Sequence, residues 1–138
     1  MLRRALVWGC GLMIVTVTCV TAQQPLTHTQ EPLEKVKENI QSGKAILVDV
    51  RELNEWQAGH LKAARLIPQS KLRDESQRAE LLKDLPKDKI IYTHCRAGGR
   101  ALACGEILRQ LGYDVRPLKA GFEALVQAGF EKDEATKP

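Results

Sequence analysis

The sequence predicts an α/β protein built on a parallel sheet that helices cover on both faces. Short apolar runs such as AILVDV (45–50) and IIYTH (90–94) alternate along the chain with segments of helical periodicity. A continuous apolar run is typical of a strand buried on both faces, and alternation of strands with helices is typical of parallel sheets. With 138 residues, no repeats and no internal linker, the chain is expected to form a single domain.

The first 22 residues are predicted to be a secretory signal peptide and not part of that domain. Arg3 and Arg4 precede an uncharged, mainly apolar run over 5–20, and Val20-Thr21-Ala22 follows as a site where a signal peptidase could cut. An uncleaved membrane anchor is the alternative, because the run is only slightly shorter than a membrane span. Cleavage near Ala22 predicts export, in a bacterium to the periplasm.

The first half of the mature chain then follows in order. Residues 23–30 are polar, show no pattern and are expected to be a tether. EPLEKVKENIQSG (31–43) has apolar residues at spacings of three and four before Gly43, which predicts an amphipathic helix. AILVDV is a buried strand, ELNEWQAG a short helix that ends at Gly59, and ARLIP a brief strand that ends at Pro68.

In the second half, SKLRDESQRAELLKDLP (70–86) predicts a helix with Ser70 as a possible cap and leucines 81, 82 and 85 as its buried stripe. IIYTH is the next strand, and a loop joins it to a helix over about 100–111 that stops at Gly112. YDVRPL is another strand and GFEALVQAG the last helix. The domain is expected to span 31–130, with a polar tail over 131–138.

Charge and cysteine content argue against several partners. The formal net charge is +4 and falls to about +2 when the two arginines of the signal are removed, which is not the electrostatic footprint of a nucleic-acid-binding protein. Cys95 and Cys104 alone remain in the mature chain, too few for a disulfide-stapled scaffold. No C-x2-C or H-x3-H pair is present, so no metal site is expected.

The candidate site is the loop that follows IIYTH, because ligands in open parallel sheets bind beyond the carboxyl ends of strands. The loop leads directly into a helix, so backbone N–H groups and the positive end of the helix dipole can converge on a cysteine sulfur there. Its glycines permit the backbone conformations that such a cradle requires. We therefore expect a reactive thiolate in an anion-binding loop whose residues are Cys95, Arg96, Ala97, Gly98, Gly99 and Arg100.

Neighbouring residues have more than one interpretation. Asp49 and Arg51 end the first strand at the same edge and could fix the loop, or Asp49 could cap the next helix. Arg96 is expected to contact an anionic substrate, whereas Arg100 could either contact it or brace the loop. His94 points away from the sulfur and is expected to be structural. Cys104 is expected to be a core residue of the following helix.

At these residues the chain resembles a known family. ILVDVRELNEWQAGHLKAARLIP resembles the first signature of the rhodanese domain, THCRAGGRA its active-site loop C-R-x-G-x-R, and LKAGFEALVQAGF its closing segment. The resemblance covers about 31–130 and departs from the family pattern at Ala63, Ala120 and Leu125. It implies a small doubly wound α/β fold in which Cys95 carries a sulfane sulfur as a persulfide.

The resemblance implies a sulfurtransferase that works by double displacement and without a metal or organic cofactor. The expected donor is thiosulfate or a similar anion, and the acceptor is a thiol, cyanide or a protein. Cysteine phosphatases and arsenate reductases are a less favoured alternative, because their loop H-C-x5-R has five residues between cysteine and arginine and this chain has four. A non-catalytic persulfide carrier or redox-binding module is the other alternative.

Overall fold

The computed structural model describes residues 23–133, so the expected signal peptide lies outside the described residues. The strands are β1 (Ala45–Asp49), β2 (His60–Leu61), β3 (Ala64–Leu66), β4 (Ile90–His94), β5 (Asp114–Pro117) and β6 (Lys132–Asp133). The helices are α1 (Leu33–Gln41), α2 (Leu53–Gln57), α3 (Gln69–Arg73), α4 (Glu75–Leu82), α5 (Gly99–Gln110) and α6 (Phe122–Gln127). Within this part of the chain, no helix combines the length and the apolar character that crossing a membrane requires.

The central sheet has four parallel strands in the order β3–β1–β4–β5. Successive side chains of a strand point to opposite faces, so Leu47 and Val48 enter two separate cores. Helices α3, α4 and α5 cover the face of Val48, and α1 and α6 cover the face of Leu47. The predicted α/β class, with helices on both faces of a doubly wound parallel sheet, is confirmed.

The strand order locates the site. From β1 the chain winds outward in one direction to β3 and then crosses back to β4, so the winding reverses between β1 and β4. A crevice forms at the carboxyl ends of two such strands because their connections leave in opposite directions. Asp49 ends β1 and Cys95 directly follows β4, so both lie at this reversal.

Two helices replace the one predicted over 70–86. Asp74 has extended backbone angles (φ −78°, ψ 108°) and its carboxylate accepts a hydrogen bond from the Ser76 N–H at 3.0 Å, so it caps α4 and ends α3. The prediction of Ser70 as a cap was wrong, since Ser70 lies inside α3 and donates to the carboxylate of Glu52 instead. Leu82 and Leu85 are buried as predicted, and Leu81 is half-buried.

Both ends of the described chain are more ordered than the sequence suggested. Lys132 and Asp133, expected in a polar tail, form β6 and pair antiparallel with Leu61 and His60. Residues 23–31, here called the N-terminal strap, were expected to be mainly a tether but lie against β5 and α5. The Thr29 N–H donates to the Pro117 carbonyl at 2.8 Å, which attaches the strap to the end of the sheet.

Candidate active site

Cys95 is presented by the loop between β4 and α5. Its side chain is buried (1% exposed), and the backbone N–H of Gly98 donates to its Sγ at 3.1 Å. Gly98 has φ +93°, a left-handed conformation that favours glycine. This conformation at the start of α5 turns the loop around the sulfur. Of the several N–H groups expected to converge on Sγ, Gly98 supplies the hydrogen bond found among the described residues.

The connection between β5 and α6 holds the loop from one side. The N–H of Phe122 donates to the Cys95 carbonyl at 2.9 Å, and the N–H of Leu118 donates to the Thr93 carbonyl at 2.8 Å. Gly121 approaches so closely that a Cβ added there would lie 1.8 Å from the Arg96 carbonyl oxygen. The absence of a side chain at Gly121 therefore allows the two backbones to meet.

The two arginines of the loop differ in their environment. The Arg100 guanidinium forms a bidentate pair with the Glu55 carboxylate at 2.7 and 2.8 Å, so it braces the loop against α2. Hydrogen bonding from Arg100 lowers the pKa of Glu55 to about 2, and the same pairing raises the pKa of Arg100. Arg96 is exposed and lines a cavity next to the loop. Ala97 and Gly99 are exposed too.

Asp49 and Arg51 form a buried ion pair at the end of β1. The Arg51 Nη2 donates to Asp49 Oδ2 at 2.7 Å and to the Gly59 carbonyl at 2.9 Å. Asp49 does not cap α2, because Glu52 and Glu55 form a capping box there. The Arg51 guanidinium also lies 4.3 Å from the centre of the Phe122 ring. The pair therefore fixes the loop after β1 and supports the wall of the cavity.

His94 is fully buried beside this ion pair, with its Nε2 3.7 Å from Asp49 Oδ2. Its two ring nitrogens have no hydrogen-bond partner among residues 23–133. Burial lowers the pKa of His94, although the nearby carboxylate opposes this shift. Burial therefore favours the neutral form of this imidazole over the charged one.

Cys104 lies in the core under α5, in the same cluster as Cys95, Ala101 and Leu108. It is fully buried, and burial raises its pKa to about 11. Both cysteines are free thiols. The core interpretation of Cys104 agrees with this position, because a protonated thiol in an apolar cluster behaves as a small hydrophobic side chain.

A cavity of about 380 Å³ lies beside the loop. Its charged and aromatic lining residues are Arg51, Glu55, Arg96, Phe122, Glu123 and Lys132. Asp49 pairs with Arg51 and Arg100 pairs with Glu55. Within residues 23–133, the lining charges that belong to no ion pair are those of Arg96, Glu123 and Lys132. Two cations and one carboxylate give this cavity a positive balance, which suits a small anion.

Sequence reasoning missed two residues near the loop. Lys132 was assigned to the tail, and its distance from Cys95 along the chain gave no signal that β6 returns to the cavity. His28 was assigned to the tether, yet its Nε2 lies 2.9 Å from the Gly98 carbonyl oxygen. As for metals, the described residues contain no cluster of three His, Cys, Asp or Glu side chains that could hold an ion.

Comparisons with known proteins agree with the resemblance seen in the sequence. The model of the rhodanese-like domain matches residues 32–128. YqhL of Bacillus subtilis is 36% identical over 81 residues, which cover 58% of this chain and 60% of YqhL. The Mycobacterium tuberculosis protein named "Probable adenylyltransferase/sulfurtransferase MoeZ" is 30% identical over 105 residues, which cover 75% of this chain and 26% of MoeZ. The chain thus spans less than two thirds of the length of these curated relatives.

Among solved structures, the human single-domain sulfurtransferase TSTD1 superposes with a TM-score of 0.60 at 25% identity. The superposition covers 76% of this chain and 97% of that protein. Protein hp1203 of Helicobacter pylori is 34% identical, with a TM-score of 0.56 and coverage of 70% and 87%. Because the domain match extends over most of the sequence, the chain belongs to the rhodanese-like domain family.

Proposed function

We propose that this protein is a sulfurtransferase that carries a sulfane sulfur as a persulfide on Cys95. The observation on which the proposal depends is the hydrogen bond from the Gly98 N–H to Cys95 Sγ, in a loop at the reversal point of the sheet. A backbone donor and the N-terminus of the 12-residue helix α5 both favour a negative charge on that sulfur. Family membership and the sulfurtransferase named among its structural relatives support the same chemistry.

The reaction would consist of two displacements. In the first, the Cys95 thiolate attacks the outer sulfur of thiosulfate, an S–S bond forms, and sulfite leaves with the electron pair of the broken bond. Arg96 and Lys132 in the cavity favour the binding of the dianion and of the departing sulfite. In the second, a thiolate or cyanide attacks the terminal sulfur and leaves Cys95 as a thiolate. Neither displacement consumes an external oxidant or reductant.

The size of the loop favours sulfur over phosphate as the cargo. Four residues separate Cys95 from Arg100, and the Arg100 guanidinium is occupied by Glu55. A phosphoryl group needs hydrogen-bond donors for three equatorial oxygens, whereas a single sulfur atom can be stabilised by fewer donors. The loop therefore suits a persulfide better than a phosphocysteine.

The test is the intact mass of the purified protein after incubation with thiosulfate, with and without later cyanide. We expect the wild type to gain one sulfur atom that cyanide removes. Cys95→Ser should gain none, and Cys104→Ser, which alters the buried thiol of the same cluster, should still gain it. Absence of added sulfur in the wild type, together with turnover of an aryl phosphate or arsenate, would contradict the proposal. If the protein gains sulfur but does not transfer it catalytically to any acceptor, it is a persulfide carrier. The proposal that it is an enzyme would then be wrong.

We further propose that the protein acts after export. The proposal rests on the arginine pair, apolar run and cleavage-like site within residues 1–22. Expression in a bacterium followed by N-terminal sequencing of the periplasmic fraction should give a chain that begins at Gln23. A chain that stays in the membrane fraction with an intact N-terminus would favour the anchor.

A further inference from the structure

The N-terminal strap contacts the loop that holds Cys95 through His28. Its early part is fixed to α5, where Arg109 donates to the Gln24 carbonyl at 2.6 Å. Its end is fixed to the sheet by hydrogen bonds of Glu31 with Tyr92 and Arg116. Thr29 lies between these points and bonds to the end of β5. The strap is thus attached on both sides of His28, which restricts where the imidazole can lie.

His28 contacts Gly98 in two ways. Its Nε2 lies 2.9 Å from the Gly98 carbonyl oxygen, and because a carbonyl only accepts, the proton must be on Nε2. The ring also occupies the space where a side chain at position 98 would be, since a Cβ there would lie 3.1 Å from Nε2. The Lys119 carbonyl oxygen lies 3.0 Å from the same point. Gly98 therefore has both the strap and the β5–α6 connection as close neighbours.

Gly98 is also the residue whose N–H donates to Cys95 Sγ. A glycine at φ +93° has many alternative conformations of similar energy, so its orientation depends on its contacts. Its carbonyl accepts from His28 and from the Leu102 N–H at 3.1 Å, and the second bond belongs to the first turn of α5. Among residues 23–133, the His28 bond is the hydrogen bond to Gly98 that comes from outside the loop and its helix.

We propose that His28 is a positioning residue for the Cys95 loop: by holding the Gly98 carbonyl it restricts the φ and ψ angles of Gly98, so that the Gly98 N–H stays directed at the sulfur. The strap is then a working part of the site and not a spacer before the domain. The effect of His28 on the conformation of Gly98 is inferred from the contacts between these two residues. The effect of His28 on turnover rests, in addition, on the proposed function. The two effects can be measured separately.

Three substitutions separate the hydrogen bond from the bulk of the ring. In His28→Gln the side-chain Nε2 is as many bonds from Cα as the histidine Nε2, so it can donate to the same carbonyl. In His28→Asn the donor is one bond short, and in His28→Ala it is absent. Thr27→Ala alters an exposed neighbour in the strap and serves as the control for a general change in the segment.

The first readout is the exchange rate of the Gly98 amide proton with solvent, measured by NMR on the full chain as expressed, without a sulfur donor. Loss of one hydrogen bond increases local opening about fivefold. We expect exchange about fivefold faster in the Asn and Ala variants, and wild-type exchange in His28→Gln and Thr27→Ala. Unchanged exchange in the Asn and Ala variants at an equal Tm would overturn the proposal. If the Gly98 amide proton also exchanges faster in His28→Gln, the bulk of the imidazole ring and not its hydrogen bond slows the exchange in the wild type. That result would overturn the proposal too.

The second readout is steady-state sulfur transfer from thiosulfate to cyanide. We expect kcat to fall about fivefold in His28→Asn, with KM for thiosulfate nearly unchanged, because Arg96 and Lys132 still line the cavity. Recovery of kcat in His28→Gln would support positioning by the hydrogen bond. A rise in KM alone would overturn it. If the wild type transfers no sulfur while Gly98 exchange responds as expected, the proposed function fails and the role of His28 stands.

Discussion

Arg100 and Arg96 illustrate how one loop can use two like residues differently. Arg100 is bound on both of its terminal nitrogens by Glu55, with about a quarter of each side chain exposed, so its charge is neutralised in place. Arg96 is exposed at the cavity. A planar bidentate pair fixes geometry, whereas an unpaired exposed guanidinium can bind an anion and release it. We infer that Arg100 braces the loop and Arg96 is available to substrate.

Glu55→Gln is predicted to lower the stability of the fold in a pH-dependent way. The pKa of Glu55 lies at about 2, below its ordinary 4.5, because Arg100 hydrogen-bonds its carboxylate. A depressed pKa contributes stability that is complete above pH 4.5 and is lost as the pH falls toward 2. We expect the substitution to cost about 1 kcal/mol at pH 7, since the pair is partly screened by solvent.

The measurement is urea unfolding of both proteins between pH 7 and pH 2. The difference between wild type and Glu55→Gln should shrink as the pH falls through this window. Glu123→Gln is a matched control, because Glu123 is exposed and belongs to no ion pair found within residues 23–133. A difference that stays constant down to pH 2 would mean that the charge of Glu55 is not what stabilises the fold.

The positions of several residues around the Cys95 loop could be predicted from the sequence, and those of others could not, for a physical reason. Asp49 ends one buried strand, Arg51 comes shortly after it, and Cys95 directly follows the neighbouring strand. The ends of adjacent parallel strands meet at one edge of the sheet. His28 lies 70 residues from Gly98 along the chain, and their contact depends on where the strap lies. A polar segment has no hydrophobic periodicity from which that position could be inferred.

At the scale of elements, the approach of the β5–α6 connection to the Cys95 loop depends on Gly121. Its backbone is extended (φ −86°, ψ −179°), a conformation that any residue adopts, so conformational strain does not explain the glycine. The reason is steric, since a Cβ would lie 1.8 Å from the Arg96 carbonyl oxygen and 2.5 Å from its carbon. Both contacts are with backbone, which cannot rotate away as a side chain would.

Gly121→Ala is therefore predicted to separate the two segments and to weaken the hydrogen bond from Phe122 to Cys95. We expect the free energy of unfolding to fall by about 3 kcal/mol, the upper range for overpacking. Equilibrium unfolding in urea, with far-UV circular dichroism, measures this loss. Gly99→Ala is the matched control, because nothing lies within 4 Å of the Cβ that it adds. The free energy of unfolding of this variant should differ from that of the wild type by less than about 1 kcal/mol. Equal stability of both variants would contradict the close approach.

The division of the predicted helix over 70–86 shows how local chemistry overrides periodicity. The leucine spacing is compatible with one helix. That spacing does not take into account the hydrogen bonds that the side chain of Asp74 can form. That carboxylate accepts from both the N–H and the hydroxyl of Ser76, at 3.0 and 2.6 Å, and so starts a new helix. A cap within a periodic segment can be identified from an Asp two residues before a Ser, but the periodicity alone favours the longer helix.

At the scale of the whole molecule, the cavity is assembled from segments far apart in the sequence. The loop after β1 supplies Arg51, the loop after β4 supplies Arg96, the start of α6 supplies Phe122 and Glu123, and β6 supplies Lys132. The parallel sheet brings the first three together because their elements end or begin at the same edge. Lys132 arrives through the pairing of β6 with β2, which the polar sequence after 130 did not predict.

Lys132 is predicted to contribute to the binding of an anionic sulfur donor. Its ammonium lies 5.9 Å from the centre of the Phe122 ring, and it lines the same cavity as Arg96. Removing one exposed cation next to a bound dianion costs up to about 1 kcal/mol, which corresponds to about a fivefold change in binding. We expect Lys132→Gln to raise KM for thiosulfate up to about fivefold with kcat retained, and the difference to diminish as salt is added.

Lys62→Gln provides the matched comparison. Lys62 is exposed near the same strand pair, but its ammonium is bound to Glu131 at 2.8 Å and it does not line the cavity. The two substitutions change the net charge equally, so any effect of overall charge on association must appear in both. A rise in KM confined to Lys132→Gln would assign the effect to the position of that cation above Phe122. Equal rises in KM in the two variants would show that donor binding depends only on the overall charge of the protein. The assignment of Lys132 to donor binding would then be wrong.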